Sequence, residues 1–220
     1  MSRAFERNGS LCEPFLSVLP VTGAAVSVLN EGIGQATISC TDQTAAWLDE
    51  LQFDLGEGPC WTALGGRAPV LRPRMEDSRE EWPMFANAVA DNKAVASMFA
   101  FPLALGTLSI GAVDLYTSTT TELDDDQVAQ ASELASLATW QVLRTILGAE
   151  SAGLETSISS RREVHQATGM ILVQVDTSAD NALLLLRAHA FATGRSVLEV
   201  ATDVVDRKLD FSTIDRPTHD

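Results

Sequence analysis

The sequence predicts an α+β fold: a mostly antiparallel sheet flanked by helices, then one long helix, then a bundle of three short helices. Three observations predict it. Between residues 24 and 116, short runs rich in β-branched and aromatic residues arrive in pairs across turn residues, which is the pattern of hairpins. From Leu123 onward, apolar residues recur at helical spacing over a long stretch with an acidic start. Beyond Arg161 come three amphipathic segments, each with start and stop signals.

The first strand is read at residues 24–29, closed by Asn30, Glu31 and Gly32, with its hairpin partner at 35–40. Asp42 caps a short helix over 44–51. In the run LGEGPCWTAL, Pro59 stands near a first helical position, and Gly65 with Gly66 ends that helix. A short strand follows at 69–71. Residues 78–82 lead into a helix at 83–91. Residues 96–105 and 108–116 form the second hairpin across Gly106.

The long helix opens at Asp124, which with Gln127 fits a capping box, and its aspartates favour the positive end of the helix dipole. Its apolar residues include Val128, Ala131, Leu134, Leu137, Ala138, Leu143 and Leu147. It is expected to reach about residue 149 or beyond, with Gly148 and Gly153 as possible breaks. One stripe can cover the sheet and another can meet a second chain, with Trp140 as the anchor. The plainer reading is the last helix of the N-terminal domain.

The C-terminal segments each present one stripe. Val164, Ala167, Ile171 and Val175 line the first, and Ala182, Leu183, Leu186 and Ala190 the second. Val197, Val200, Ala201, Val204 and Val205 line the third. Ser196 with Glu199 is a capping box, Thr177 with Asp180 a weaker cap, and Gly194 a C-terminal stop. Ala167, Gly169, Ala182 and Ala190 are small enough for close helix approach. Phe211 is expected to pack on the last helix, Arg207 to pair with Asp203 at i+4 spacing, and residues 212–220 to form a disordered tail.

These segments resemble the ANTAR domain, an RNA-binding unit of bacterial antitermination regulators. The resemblance rests on Arg161, Val164 and Ala167-Thr168-Gly169, on Ala182, Leu183, Leu186, Arg187 and Ala190, and on Val200-Ala201 with Val204-Val205. HQATGM with AHAFA looks like an actinobacterial branch. Thr168 stands where many members carry lysine, and Leu183 where many carry an aromatic residue. The resemblance implies RNA binding by Arg161, Arg162, His165, Gln166, Thr168, Arg187 and Arg195, with arginines on phosphates and polar groups on splayed bases. The plainer reading of any one of these arginines is a solvated helix surface.

The first part of the chain resembles a GAF domain, a small sensing module. The residues that carry this are LGEGPCWTAL, Trp82-Pro83 with Phe85, and the pair FAFPLAL and IGAVDLY. It implies a ligand pocket near Cys60, Trp61, Trp82 and Phe85, residues that read equally well as core packing. The implied layout is a GAF-like sensor over 11–147 (its linker helix over 122–155), an ANTAR domain over 156–211 and the tail.

Composition narrows the function. The chain has 220 residues, is 45% apolar and carries a formal net charge of −15. Such a field repels nucleic acid and anionic membrane, so RNA binding requires a local patch. From Arg161 onward there are seven basic and nine acidic residues. Cys12, Cys40 and Cys60 are odd in number and lack metal-ligand spacing, which suits a reducing cytoplasm. The start MSRAFERNGS lacks a secretory apolar core, and no apolar run reaches membrane-spanning length. No nucleophile–base set and no cofactor motif is legible, so no enzyme is expected. The sequence thus favours a dimeric antitermination regulator that binds RNA hairpins under control of a small-molecule or other signal in the GAF-like domain. The alternative is a dimeric ligand-sensing or scaffold protein whose three helices bind protein. A redox sensor through Cys60 would require that thiol to be exposed.

Overall fold

The computed structural model describes residues 11–30, 34–90, 92–147 and 151–213, with side chains over 11–29, 35–90, 92–146 and 163–213. The fold is α+β, and the chain forms two compact units, Met1–Glu155 and Thr156–Asp220.

The first unit is built on five strands: β1 Gly23–Asn30, β2 Gly34–Cys40, β3 Val70–Arg72, β4 Ser97–Leu105 and β5 Leu108–Thr117. Their order is β2-β1-β5-β4-β3, and every neighbouring pair is antiparallel. Both expected hairpins form. The β4–β5 register closes at Leu105 opposite Leu108, across Gly106 at φ 59, a left-handed value that glycine adopts without strain. β1 and β5 meet closely at Gly111, where a Cβ would lie 1.8 Å from the Ser27 carbonyl oxygen.

Helices cover both faces of this sheet. They are α1 Glu13–Val18, α2 Gln43–Leu55, α3 Pro59–Gly66, α4 Pro83–Ala90 and α5 Asp125–Leu147. Met98, Ala100 and Tyr116 join Leu48, Trp82 and Phe85 in one core cluster. Phe99 and Phe101 point to the other face by the two-residue pleat and are also fully buried, with α5 packed on β4. Burial on both faces explains why β4 and β5 read as continuous apolar runs rather than as alternation. Ala131, Ala135, Ala138 and Val142 of α5 are buried, so small residues let the helix lie close.

Several elements differ from the sequence expectation. α2 continues past residue 51 to Leu55 and ends on Gly56 at φ 69. Its inner face carries the buried polar residues Asp49 and Gln52, which break the apolar period. The short α1 was not expected. A 3₁₀ turn, Met75–Ser78, precedes α4. The α5 capping box forms as read: Gln127 N–H donates to Asp124 Oδ1 at 2.8 Å, and Asp124 N–H donates to Gln127 Oε1 at 3.0 Å. Gly148 lies outside the described residues. Gly153 breaks nothing, because it sits inside the next helix.

The second unit takes in most of α6 (Ser151–Val175), then α7 Ala179–Thr193, α8 Val197–Val205 and a 3₁₀ turn Phe211–Thr213. Val164, Ala167, Ile171, Ala182, Leu186, Ala190, Val197, Val200, Ala201 and Val204 are all buried, so the three stripes share one core. Val175, Leu183 and Val205, at the stripe edges, are half-buried. Thr202 Oγ1 donates to Glu163 Oε2 at 2.7 Å and ties α8 to α6. The Ser196–Glu199 box closes α8's start, and Gly194 at φ 64 ends α7.

Three readings of this unit are corrected. The cap of α7 is Ser178, whose Oγ accepts from Asn181 N–H at 3.3 Å; Thr177 N–H instead bonds the Leu172 carbonyl as α6 ends. Gly169 is exposed with open space where a Cβ would sit, so close approach rests on the alanines. Phe211 is buried against the His189 ring, with centroids 5.4 Å apart, and its N–H donates to Gln174 Oε1 at 3.1 Å. Those partners belong to α7 and α6. Asp203 pairs with Arg195 at 2.7 Å and Lys208 at 3.9 Å, not with Arg207. α8 ends at Val205, and Arg207 takes φ 59, so helical i+4 geometry no longer holds there. Of the expected tail, residues 214–220 lie outside the described residues, and Ser212 and Thr213 belong to the terminal 3₁₀ turn.

Candidate functional sites

The residues proposed for RNA occupy different environments. Arg161 and Arg162 fall in the middle of α6, not in a first turn, and their side chains lie outside the described residues. His165 and Gln166 are exposed on the helix face opposite the core. Thr168 is half-buried and donates its hydroxyl to the Val164 carbonyl at 2.7 Å, a back-bond within its own helix. Arg187 is half-buried. Arg195 reaches the Glu199 carbonyl at 3.1 Å as well as Asp203, so its guanidinium is already engaged. The His189 ring packs edge-on against Phe211.

A feature the sequence did not single out lies on the outer side of α7. Leu184 and Phe191 are exposed, Phe191 by 67%, with Leu185 partly so and Val173 of α6 exposed too. Leu184, Ala188 and Phe191 fall at i, i+4 and i+7, facing away from the buried Ala182–Leu186–Ala190 stripe. Composition could not show this, because apolar residues on both sides of α7 blur its period.

In the first unit, Cys60, Trp61, Trp82 and Phe85 sit within packed structure. Cys60 is buried at the start of α3, and its N–H donates to Gln52 Oε1 at 2.8 Å. Its burial removes the exposed thiol that a redox sensor requires. Trp61 Nε1–H donates to the Gln52 carbonyl at 2.7 Å, and Trp82 Nε1–H to Thr62 Oγ1 at 3.0 Å. Phe85 N–H donates to Glu57 Oε1 at 2.7 Å. Glu57, in the LGEGPCWTAL run, thus satisfies an orphan donor of α4's first turn. Gly58, at φ 130, leaves no room for a Cβ, which would come within 2.7 Å of Gln52.

Gln52 is the hub of a buried polar network. Its Nε2 donates to Asp114 Oδ2 at 3.0 Å. Nearby Asp49 accepts from Ser27 Oγ at 2.5 Å and from Thr37 Oγ1. Asp114 Oδ1 is buried without a hydrogen-bond partner among the described residues. Burial, and then the charge of Asp49, push the Asp114 carboxyl well above the ordinary aspartate range. Burial likewise pushes the thiols of Cys12 and Cys40 up to about 11, so both stay protonated and unreactive near neutrality.

A pocket of about 250 Å³ lies between the Met75–Ser78 turn and α4. Its lining includes Arg74, Glu76, Arg79, Met75, Val89 and Val95, and none of the four residues expected at a sensor pocket. Among the described residues, no three of His, Cys, Asp and Glu gather as metal ligands, and no helix is long and apolar enough to cross a membrane.

Comparison with known proteins bears on the second unit. The ANTAR domain family matches residues 152–205. This segment is an ANTAR domain. Solved structures similar to the chain include the GAF domain/HD domain protein from Geobacter sulfurreducens, 18% identical, covering 64% of this chain and 92% of that one at a TM-score of 0.48. The GAF domain from Acinetobacter phosphoenolpyruvate-protein phosphotransferase is 8% identical, with coverages of 64% and 83% and a TM-score of 0.49. The type II free methionine-R-sulfoxide reductase from Thermoplasma acidophilum is 18% identical, with coverages of 63% and 92% and a TM-score of 0.47. No curated protein matches the chain.

The family match is confined to the C-terminal part of the chain, residues 152–205. The ANTAR match takes in all of α7 and α8 and nearly all of α6, and with them His165, Gln166, Thr168, Arg187 and Arg195. Of these, His165, Gln166 and Arg195 are exposed, Arg195 being held by Asp203 and the Glu199 carbonyl.

Proposed function

We propose that this protein is a signal-responsive antitermination regulator of the cytoplasm, whose ANTAR domain binds hairpins in nascent RNA under control of the GAF-like unit. The observation that carries this is the ANTAR match over residues 152–205. Arg161 and Arg162, one to two turns of α6 before Gln166, supply cations for phosphates. His165 and Gln166 supply donors and acceptors for unpaired bases. Phe191 adds an exposed ring on which a base can stack, the role that the family aromatic would have at Leu183. A homodimer through α5 presents two ANTAR domains to paired hairpins. Trp140 is 55% exposed there and Leu137 stands one turn away, also exposed.

The test is the Arg161→Ala, Arg162→Ala double variant titrated with a hairpin RNA across salt. Each lost phosphate contact lowers the slope of log affinity against log salt by roughly 0.7–0.9. A folded double variant with an unchanged slope removes both residues from the site.

A second reading has its own observation. The exposed Leu184, Leu185 and Phe191 are an apolar face of the kind that proteins cover with another protein. On this reading the ANTAR helices bind a protein, and the GAF-like unit serves as a dimeric ligand-sensing scaffold. The net charge of −15, Thr168 and Leu183 favour it.

A further inference from the structure

We infer that the pocket between the Met75–Ser78 turn and α4 binds a small carboxylate with a short apolar body. This deepens the sensing half of the proposed function and rests on that reading for its biological meaning, although the binding itself does not.

The pocket has two chemically distinct parts. Met75, Val89 and Val95 are all buried and form an apolar wall. Arg74 and Arg79 stand at its exposed rim. Neither guanidinium has an ion-pair partner among the described residues, whereas Arg72 on the neighbouring strand pairs with Glu81. Cations left without partners are notable in a chain with 30 acidic and 15 basic residues. The long-range field of such a protein repels anions, so an anion binds only where local charge reverses the sign. Among the side chains that line the pocket, Arg74 and Arg79 outnumber the one carboxylate, Glu76.

Shape and chemistry then select the ligand. About 250 Å³ holds roughly eight waters at about 30 Å³ each, and falls below the range of about 300–1,000 Å³ usual for drug-sized ligands. Guanidinium groups bind carboxylates through paired, parallel hydrogen bonds. The buried wall rewards an aliphatic group and gives nothing to a hydrated ion. Inorganic phosphate has the charge without the body, and a neutral amide has the body without the charge. Both satisfy only half of the pocket. The Gln52–Asp114 network is a different place and offers acceptors, so it does not compete for an anion.

The experiment is calorimetric titration of the full chain with isovalerate, isovaleramide and inorganic phosphate. One saturable isovalerate site is expected, with the amide and phosphate at least tenfold weaker. The Arg74→Gln, Arg79→Gln double variant should lose at least tenfold in isovalerate affinity. Ala90→Phe, at an exposed lining position, should block the pocket with the thermal midpoint unchanged, and it carries the test if the arginine variant fails to fold. Equal affinity for acid and amide, phosphate binding as tight as isovalerate, undiminished binding in a folded arginine variant, or no saturable isovalerate heat overturns the inference. Hairpin RNA binding, measured with and without isovalerate, separates this site from the wider reading. Isovalerate binding to a protein that never binds RNA supports the pocket and removes the antiterminator.

Discussion

At the scale of single residues, Asp114 makes the most testable claim. Its carboxyl is fully buried, accepts a hydrogen bond from Gln52 and keeps Oδ1 without a partner among the described residues. Burial first, and the Asp49 charge second, raise its folded pKa well above 3.8. The folded protein therefore holds this proton more tightly than the unfolded chain does. Asp114 contributes stability that is fully present below its unfolded pKa and lost as pH rises through the folded one. Asp114→Asn, which cannot ionise, should raise the denaturant midpoint at pH 7.5 and flatten the decline between pH 4 and 7.5. Equal pH profiles for the two proteins would contradict this. The sequence showed an aspartate inside a strand but not its burial. IGAVDLY reads as an almost continuous apolar run, which fits a strand covered on both faces but does not single out its one aspartate as buried, and neither Asp49 nor Gln52 announces a buried hub. The candidate RNA residues show the reverse limit. Residue type nominated Arg195, but the neighbour that occupies it, Asp203, meets it only in the folded unit.

At the scale of elements, what the sequence made legible were features with local causes. The capping boxes at Asp124–Gln127 and Ser196–Glu199, the Gly194 stop and the two hairpins depend on neighbours a few residues apart, and all are present. Boundaries set by tertiary burial were not legible, as the extra turn of α2 on buried Gln52 shows. The Ser196 cap supports a prediction: Ser196→Ala removes the acceptor for Glu199 N–H and should cost about 1 kcal/mol of stability. A chemical denaturation curve checks it, and a loss below a few tenths of a kcal/mol would mean that α8 is held by its buried valines alone. α5 supports another. Its inner alanines leave Leu137 and Trp140 outward, and Trp140→Ala should weaken self-association by at least tenfold, read by sedimentation. A wild-type protein that is monomeric at micromolar concentration would end the dimer model.

At the scale of the whole molecule, an acidic chain carries an ANTAR domain, and the two facts pull against each other. A field of this sign opposes RNA at long range, so binding must come from local contacts and must be sharply salt-dependent. On the described surface of the second unit, Arg195 and Lys208 are paired with acids, so the proposed function relies on Arg161 and Arg162 for phosphate contacts. The exposed Leu184 and Phe191 can serve either a stacked base or a protein partner, and only a charge-sensitive measurement separates the two. That measurement is the affinity of the full chain for a two-hairpin RNA, followed from low to physiological salt and compared with a single-hairpin RNA. The proposed function predicts saturable binding that weakens steeply with salt and favours the two-hairpin RNA. Absence of binding at low salt, or a weak interaction indifferent to salt and hairpin number, would contradict it and leave the ANTAR helices to a protein partner.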